Sequence, residues 1–372
     1  MKFVPRALIA EVTHRCPLHC VYCSNPLDMR SRAEELSTEE WQRVFGEAAA
    51  LGVLQLHLTG GEPLARPDTA HLVKAGRDAG LYVNLITSGI RLAEDRLEGL
   101  VEAGLDHVQL SFQDSDQVEA DEIAGTRAHA IKLELARRIR KHAIAFTMNL
   151  VVHRRNLARL PQMIAIAEEL QVDKLEVANV QYYGWAFKNR KQLLPTREQL
   201  QETIAVVDAA RERLKGRMRI DCVLPDYYAR FPKACMSGWG QGLMLIDPAG
   251  VVLPCHAARV IPGLSFDNVQ SKPLRWIWEE SPAFQRFRGD EWMQEPCRSC
   301  ERKSRDYGGC RCQAFLYTGD PDATDPVCSL APGRKLIDAV IASTAATDSE
   351  GNEPRLLYRI NPAHGGKRDP FV

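Results

Sequence analysis

The chain has 372 residues and carries 48 basic and 48 acidic side chains, so its formal net charge is zero. That length holds two domains, or one large domain with an appendage, and the balanced charge excludes a general nucleic-acid or anionic-membrane binder. No apolar run reaches the roughly 20 residues of a spanning helix, and Met1-Lys2-Phe3 leads into a strand-like segment without a signal peptide, so the expected location is the cytoplasm.

From residue 7 to about 180, short β-rich runs alternate with amphipathic stretches. Strands are predicted over 7–13, 54–59, 81–87, 106–112, 144–152 and 173–180, most of them nearly continuous apolar runs, as parallel strands covered by helices require. Helices are predicted over 38–51, 67–79, 94–103, 128–142, 156–170 and 196–214. Ser37-Thr38-Glu39-Glu40 caps the first, and the second opens after Pro67-Asp68. Six βα units are too few for an eight-stranded barrel, which takes about 250 residues. The expected fold class is therefore α/β: an open, partial (β/α)6 barrel over 1–219, a second domain over 220–343 and a flexible polar tail over 344–372.

The eleven cysteines are unevenly placed: three at 16–23, none between 24 and 221, and eight between 222 and 328. A reducing compartment disfavours disulfides, so two clusters of thiols point to two regions with metal. The first is Cys16-Pro17-Leu18-His19-Cys20-Val21-Tyr22-Cys23, spaced C-x3-C-x2-C directly after the first strand. Three ligands fit either a zinc whose fourth ligand is distant or an iron–sulfur cluster with one open iron. Gly60-Gly61-Glu62-Pro63 follows the second strand, on the same rim, because βα folds collect chemistry at the C-terminal strand ends. Its glycines allow close backbone approach, and Glu62 offers a carboxylate to a cation.

Together the cysteine spacing, Tyr22 before the third cysteine and the Gly-Gly-Glu-Pro segment resemble the signature of the radical S-adenosylmethionine (SAM) family. The resemblance implies a [4Fe–4S] cluster on Cys16, Cys20 and Cys23, its open iron chelated by SAM, and a SAM methionine group held by Gly60, Gly61 and Glu62. Ser88 after strand three, Ser111 and Gln113 at the end of strand four and Asn149 in strand five are candidates for the SAM ribose or carboxylate. An aromatic and basic loop, Gln181-Tyr182-Tyr183-Gly184-Trp185-Ala186-Phe187-Lys188-Asn189-Arg190, opens at the same rim and either lines a substrate channel or packs the barrel mouth.

Beyond residue 220, Cys235, Gly250, Cys255, Cys297, Cys300, Cys310, Cys312 and Cys328 resemble the SPASM pattern of auxiliary iron–sulfur domains, with Asp306 in register where that family has a cysteine. This implies one auxiliary cluster on Cys235, Cys255, Cys310 and Cys312, and a second on Cys297, Cys300, Asp306 and Cys328; carboxylate oxygen is a harder donor than thiolate. Cys312 in place of Asp306, or a pair of structural zinc sites on a binding protein without radical chemistry, are the alternatives. Cys222 is left as a core thiol.

Three strings, Cys16 to Pro26, Tyr182 to Arg190 and Gly308-Gly309-Cys310-Arg311-Cys312-Gln313-Ala314-Phe315, are most similar to the branch of this family that serves pyrroloquinoline quinone (PQQ) biosynthesis. That resemblance implies a carbon–carbon cross-link between glutamate Cγ and the tyrosine ring of a small precursor peptide, a separate chaperone that presents the peptide, and an electron donor such as flavodoxin. Other SPASM maturases, which form formylglycine or thioethers, are the neighbouring expectation. Strand one begins within ten residues of the N-terminus, which leaves presentation of the peptide to a partner.

Overall fold

Alternation along the strands sets the architecture. The computed structural model describes residues 3–90, 92–346 and 355–361. Six parallel strands follow in order: β1 (Ala7–Thr13), β2 (Gln55–Gly60), β3 (Tyr82–Thr87), β4 (His107–Phe112), β5 (Ala145–Val152) and β6 (Lys174–Asn179). Leu8, Leu56, Val83, Val108, Phe146 and Leu175 share one core with the covering helices. On the opposite faces stand polar groups that pair with each other: Asn84 with His57 at 3.0 Å, and His107 with Thr147 at 2.8 Å. Nearly continuous apolar runs were expected, and the strands alternate instead. Helices cover only one side of the sheet, and the other borders the barrel interior.

Helix α1 (Thr38–Leu51) shows how the outer layer is built. Trp41, Val44, Phe45, Ala48 and Leu51 recur at helical spacing and are all buried. Each large apolar side chain so buried contributes roughly 1.5–3 kcal/mol. The expected cap is present: Ser37 Oγ accepts from Glu40 N at 3.2 Å, and Glu40 Oε2 accepts from Ser37 N at 2.8 Å. The layer continues with α2 (Thr69–Asp78), α3 (Glu94–Glu102), α4 (Gln117–Ala124), α5 (His129–Ile139) and α6 (Leu160–Glu169). Helix α4 lies in a stretch for which the sequence predicts no element.

The sheet is larger than six strands. β7 (Arg219–Val223) pairs parallel with β6, and Cys222 sits there, partly buried against the main core as expected. β8 (Leu243–Ile246) pairs parallel with the other side of β1, and β9 (Val252–Leu253) runs antiparallel to β8. The order is β7-β6-β5-β4-β3-β2-β1-β8-β9, so the sheet crosses the boundary expected at 219/220. A second core gathers Trp239, Leu245, Leu253, Ile261 and Phe287 beneath the second cysteine group. Among the described residues, no helix is long and apolar enough to cross a membrane.

The tail departs from expectation. A helix runs over Arg334–Ala346, past the expected start at 344. Residues 355–361 lie against the first cysteine loop, where Arg359 is 2 % exposed. The other positions of that tail, 347–354 and 362–372, fall outside the described residues.

Candidate active site

Two backbone hydrogen bonds carry the β1–β2 pairing beyond the strands: Gly61 N donates to Thr13 O at 2.6 Å and Glu62 N to Arg15 O at 2.7 Å. A Cβ on Gly60 would collide with the Thr13 carbonyl, and one on Gly61 with those of His14 and Arg15. The glycines therefore admit the approach of the cysteine loop itself. The loop is also gripped from behind. His19 N donates to Ala124 O at 2.8 Å, Ala186 N to Cys23 O at 3.1 Å, and Asn189 Nδ2 to Val21 O at 2.7 Å. Of the aromatic loop, Gln181, Tyr182 and Tyr183 face a cavity, while Trp185 and Ala186 are buried beside the cysteine loop.

Cys16, Cys20 and Cys23 line one cavity with Gly60, Gly61, Ser88 and Ser111. Burial pushes the Cys16 thiol up to about 12 and that of Cys20 up to about 11. Thiols held this way ionise only beside a strong cation, which iron would supply. Asn179 at the end of β6 also lines the cavity, buried, and among the described residues neither its amide nitrogen nor its amide oxygen has a partner. Such an orphaned pair is costly unless a ligand meets it. Three thiols plus this amide fit a cluster with one open iron and SAM beside it.

The remaining candidates divide. Glu62 is fully buried and spent within the protein: one oxygen accepts from Leu64 N at 3.0 Å and Thr87 Oγ1 at 2.6 Å, the other from Ser88 N and Ser88 Oγ. Gln113 is likewise consumed, its oxygen by Lys132 Nζ at 2.7 Å and its nitrogen by the Tyr22 hydroxyl at 2.8 Å. Asn149 pairs in register with Ser111 but lies off the cavity lining. Internal partners hold the Glu62 and Gln113 side chains, and neither these two nor Asn149 is among the residues that line this cavity. Asn179 was missed, although a polar residue ending a sixth strand was a readable signal.

A second cavity opens between the rim and the C-terminal unit, walled by Tyr182, Tyr183 and Tyr227 and bordered by Cys235, Cys255 and Cys310. Cys255 and Cys312 sulfurs lie 3.8 Å apart, and Cys235 contacts both Cys255 and Cys310, while Cys310 also contacts Cys312. The four thiols form a closed ring, and the Tyr183 hydroxyl stands 3.1 Å from Cys310 Sγ. Cys297, Cys300, Asp306 and Cys328 line a third, smaller cavity. Asp306 is in it and Cys312 is not. Among the described residues no three His, Cys, Asp or Glu side chains are gathered tightly enough to hold a single metal ion. Thiolates around a cluster of several irons stand further apart.

A parallel partial barrel with this cysteine loop at its rim and a cysteine-rich unit on its edge defines a radical SAM enzyme with a SPASM domain. The Radical SAM superfamily profile matches residues 10–166, and the iron–sulfur cluster-binding SPASM profile matches 235–301. The fold is similar to Streptococcus suis SuiB bound to S-adenosylmethionine, with a TM-score of 0.74 and 20 % identity over 88 % of this chain and 78 % of that one. It is also similar to native anSMEcpe with bound AdoMet, with a TM-score of 0.62 and 16 % identity over 92 % and 98 %. The PqqA peptide cyclase of Bradyrhizobium diazoefficiens is 53 % identical over 96 % of this chain and 93 % of its own length. That of Gluconobacter oxydans is 53 % identical over 95 % and 98 %. The chain belongs to the PqqA peptide cyclase family.

Proposed function

We infer that this chain is a radical SAM enzyme of PQQ biosynthesis that joins a glutamate γ-carbon to a tyrosine ring within a precursor peptide. One observation carries the reading: Asn179, Val180 and Gln181 line both the cavity of the first cysteine loop and the cavity beside the sulfur ring. Joining the two side chains removes two hydrogens from the peptide. One leaves as a hydrogen atom, and the other as a proton and an electron, so a site that starts the radical and a site that accepts an electron must both reach the substrate. When bound, SAM and its cluster supply the radical that takes the first hydrogen.

The chain's own residues position and shield. Tyr182 and Tyr227 wall the shared space against water, their rings 5.4 Å apart. The Asn179 amide offers a donor and an acceptor at the junction of the two cavities. Cys235, Cys255, Cys310 and Cys312 would hold an auxiliary cluster at the cavity wall, and Cys297, Cys300, Asp306 and Cys328 a second one. Gly60, Gly61, Ser88 and Ser111 would border SAM. The peptide would be presented by a small PqqD-like chaperone, with a flavodoxin-like electron donor. The enzyme would work in the cytoplasm, where thiols stay reduced and available to iron.

The test is the mass of the precursor peptide after anaerobic incubation with the chain, SAM, a reductant and the presenting partner. Loss of two hydrogens, located to the glutamate and tyrosine, is expected. Deoxyadenosine accumulating beside an unchanged peptide would retain the radical chemistry and overturn this substrate.

A further inference from the structure

Residues 355–361 cross the cysteine loop from a distant part of the sequence, and they are fastened there by reciprocal hydrogen bonds. Asn361 brackets the backbone of Cys16: its oxygen accepts from Cys16 N at 3.1 Å and its nitrogen donates to Cys16 O at 2.7 Å. Arg359 N donates to His19 O at 3.2 Å, and the Arg359 carbonyl meets His19 Nδ1 at 2.8 Å. Asn189, which also holds Val21 O, brackets Leu357 at 2.9 and 2.7 Å.

This strap delivers a guanidinium into the cavity wall. Arg359 is 2 % exposed and lines the cavity with the three cysteines. Among the described residues its hydrogen-bond partners are the carbonyls of His14 and Leu18, the Asn361 oxygen and the Met29 sulfur. None of these is an anion, and Nε is buried without a partner. Guanidinium stays protonated in proteins, and a buried charge without a counter-charge is heavily penalised. A thiolate can supply the counter-charge: the group lies within hydrogen-bonding reach of the Cys23 sulfur and lines the cavity with Cys16 and Cys20.

We propose that Arg359 is the counter-cation of the SAM-binding cluster, a positioning residue that the strap holds against the cysteine loop. The inference rests on the radical SAM reading of that loop. Reducing a cluster adds a negative charge, so a fixed cation beside it favours the reduced state and raises its midpoint potential. Losing the charge makes the cluster harder to reduce.

The experiment uses the full chain, reconstituted anaerobically, as wild type, Arg359→Gln and Arg359→Lys. Iron is counted, and the SAM-responsive cluster is followed by electron paramagnetic resonance in a redox titration. In Arg359→Gln the reduced-to-oxidised ratio at a fixed potential is expected to fall about tenfold, equivalent to a 59 mV shift for one electron. Arg359→Lys should stay near wild type, and the other cluster signals should not move. If Arg359→Gln holds too little iron to titrate, retention of the cluster in Arg359→Lys still supports the charge. Loss in both variants, or a Gln variant that titrates like wild type, overturns the proposal. A wild-type chain whose cluster spectrum does not respond to SAM would instead sink the radical SAM reading beneath it.

Discussion

Glu62 and Ser88 are joined twice, for one carboxylate oxygen of Glu62 accepts from both the backbone N–H of Ser88, at 2.7 Å, and its hydroxyl. With the other oxygen on Leu64 N and Thr87 Oγ1, Glu62 fastens the ends of β2 and β3 together. Its carboxylate thereby shapes the rim of the first cavity from within the protein.

Glu62→Gln puts an amide nitrogen where donors converge, leaving buried donors unsatisfied. A loss of about 2–3 kcal/mol is expected, read as a lower urea midpoint of the metal-free chain. Full stability with selective loss of SAM binding would return Glu62 to the role of direct ligand.

Asp306 provides the sharpest test of the auxiliary ligand set. Asp306→Ala is expected to lower the iron content of the C-terminal unit. Asp306→Cys should retain it and shift that cluster's potential, thiolate being the softer donor. Iron analysis with spectroscopy decides, and unchanged iron in the Ala variant removes Asp306 from the set.

Tyr183→Phe deletes the hydroxyl 3.1 Å from Cys310 Sγ and little else. A hydrogen bond to a cluster sulfur stabilises the reduced state, so its loss should move the potential of that one cluster to more negative values. Redox titration checks this against an unaltered melting temperature.

His153 is completely buried, neither ring nitrogen has a partner among the described residues, and burial holds its pKa down to about 3. His107 is held down to about 4, chiefly by desolvation. Both pKa values lie below the unfolded value of about 6.5, so the unfolded chain binds more protons on acidification. Stability present above pH ~6.5 is therefore lost as pH falls toward 4, with a slope of up to about 1.4 kcal/mol per pH unit for each group. His153→Phe should flatten that slope without lowering stability at pH 7. An unchanged acid limb in urea titrations would assign the dependence to other groups.

Much of the fold was legible because it is local. The six strands lie within a residue or two of expectation, and the Ser37–Glu40 cap formed as read. β8 was not legible, since four apolar residues gain meaning only from β1, more than 200 positions earlier. The cysteine sets were visible through spacing: Cys16, Cys20 and Cys23 share one cavity, Cys297, Cys300, Asp306 and Cys328 another, and Cys235, Cys255, Cys310 and Cys312 meet in a ring of sulfur contacts. For the polar candidates less was legible, because residue type does not tell whether a side chain's partners lie inside the protein. Lys132 takes Gln113 from the cavity, and nothing near Arg359 in sequence announces Cys23.

Because β8 pairs with β1 along Ala7–Ala10, the barrel edge and the auxiliary unit are one hydrogen-bonded surface. The distance between the initiating cysteines and the sulfur ring is therefore set by strand register rather than by a hinge. Recombination that exchanges C-terminal halves between relatives must carry a matching β1 with it. A chimera joined at 219/220 would place one parent's strand beside the other's edge, and a slip of one residue would turn every side chain of β8 to the wrong face.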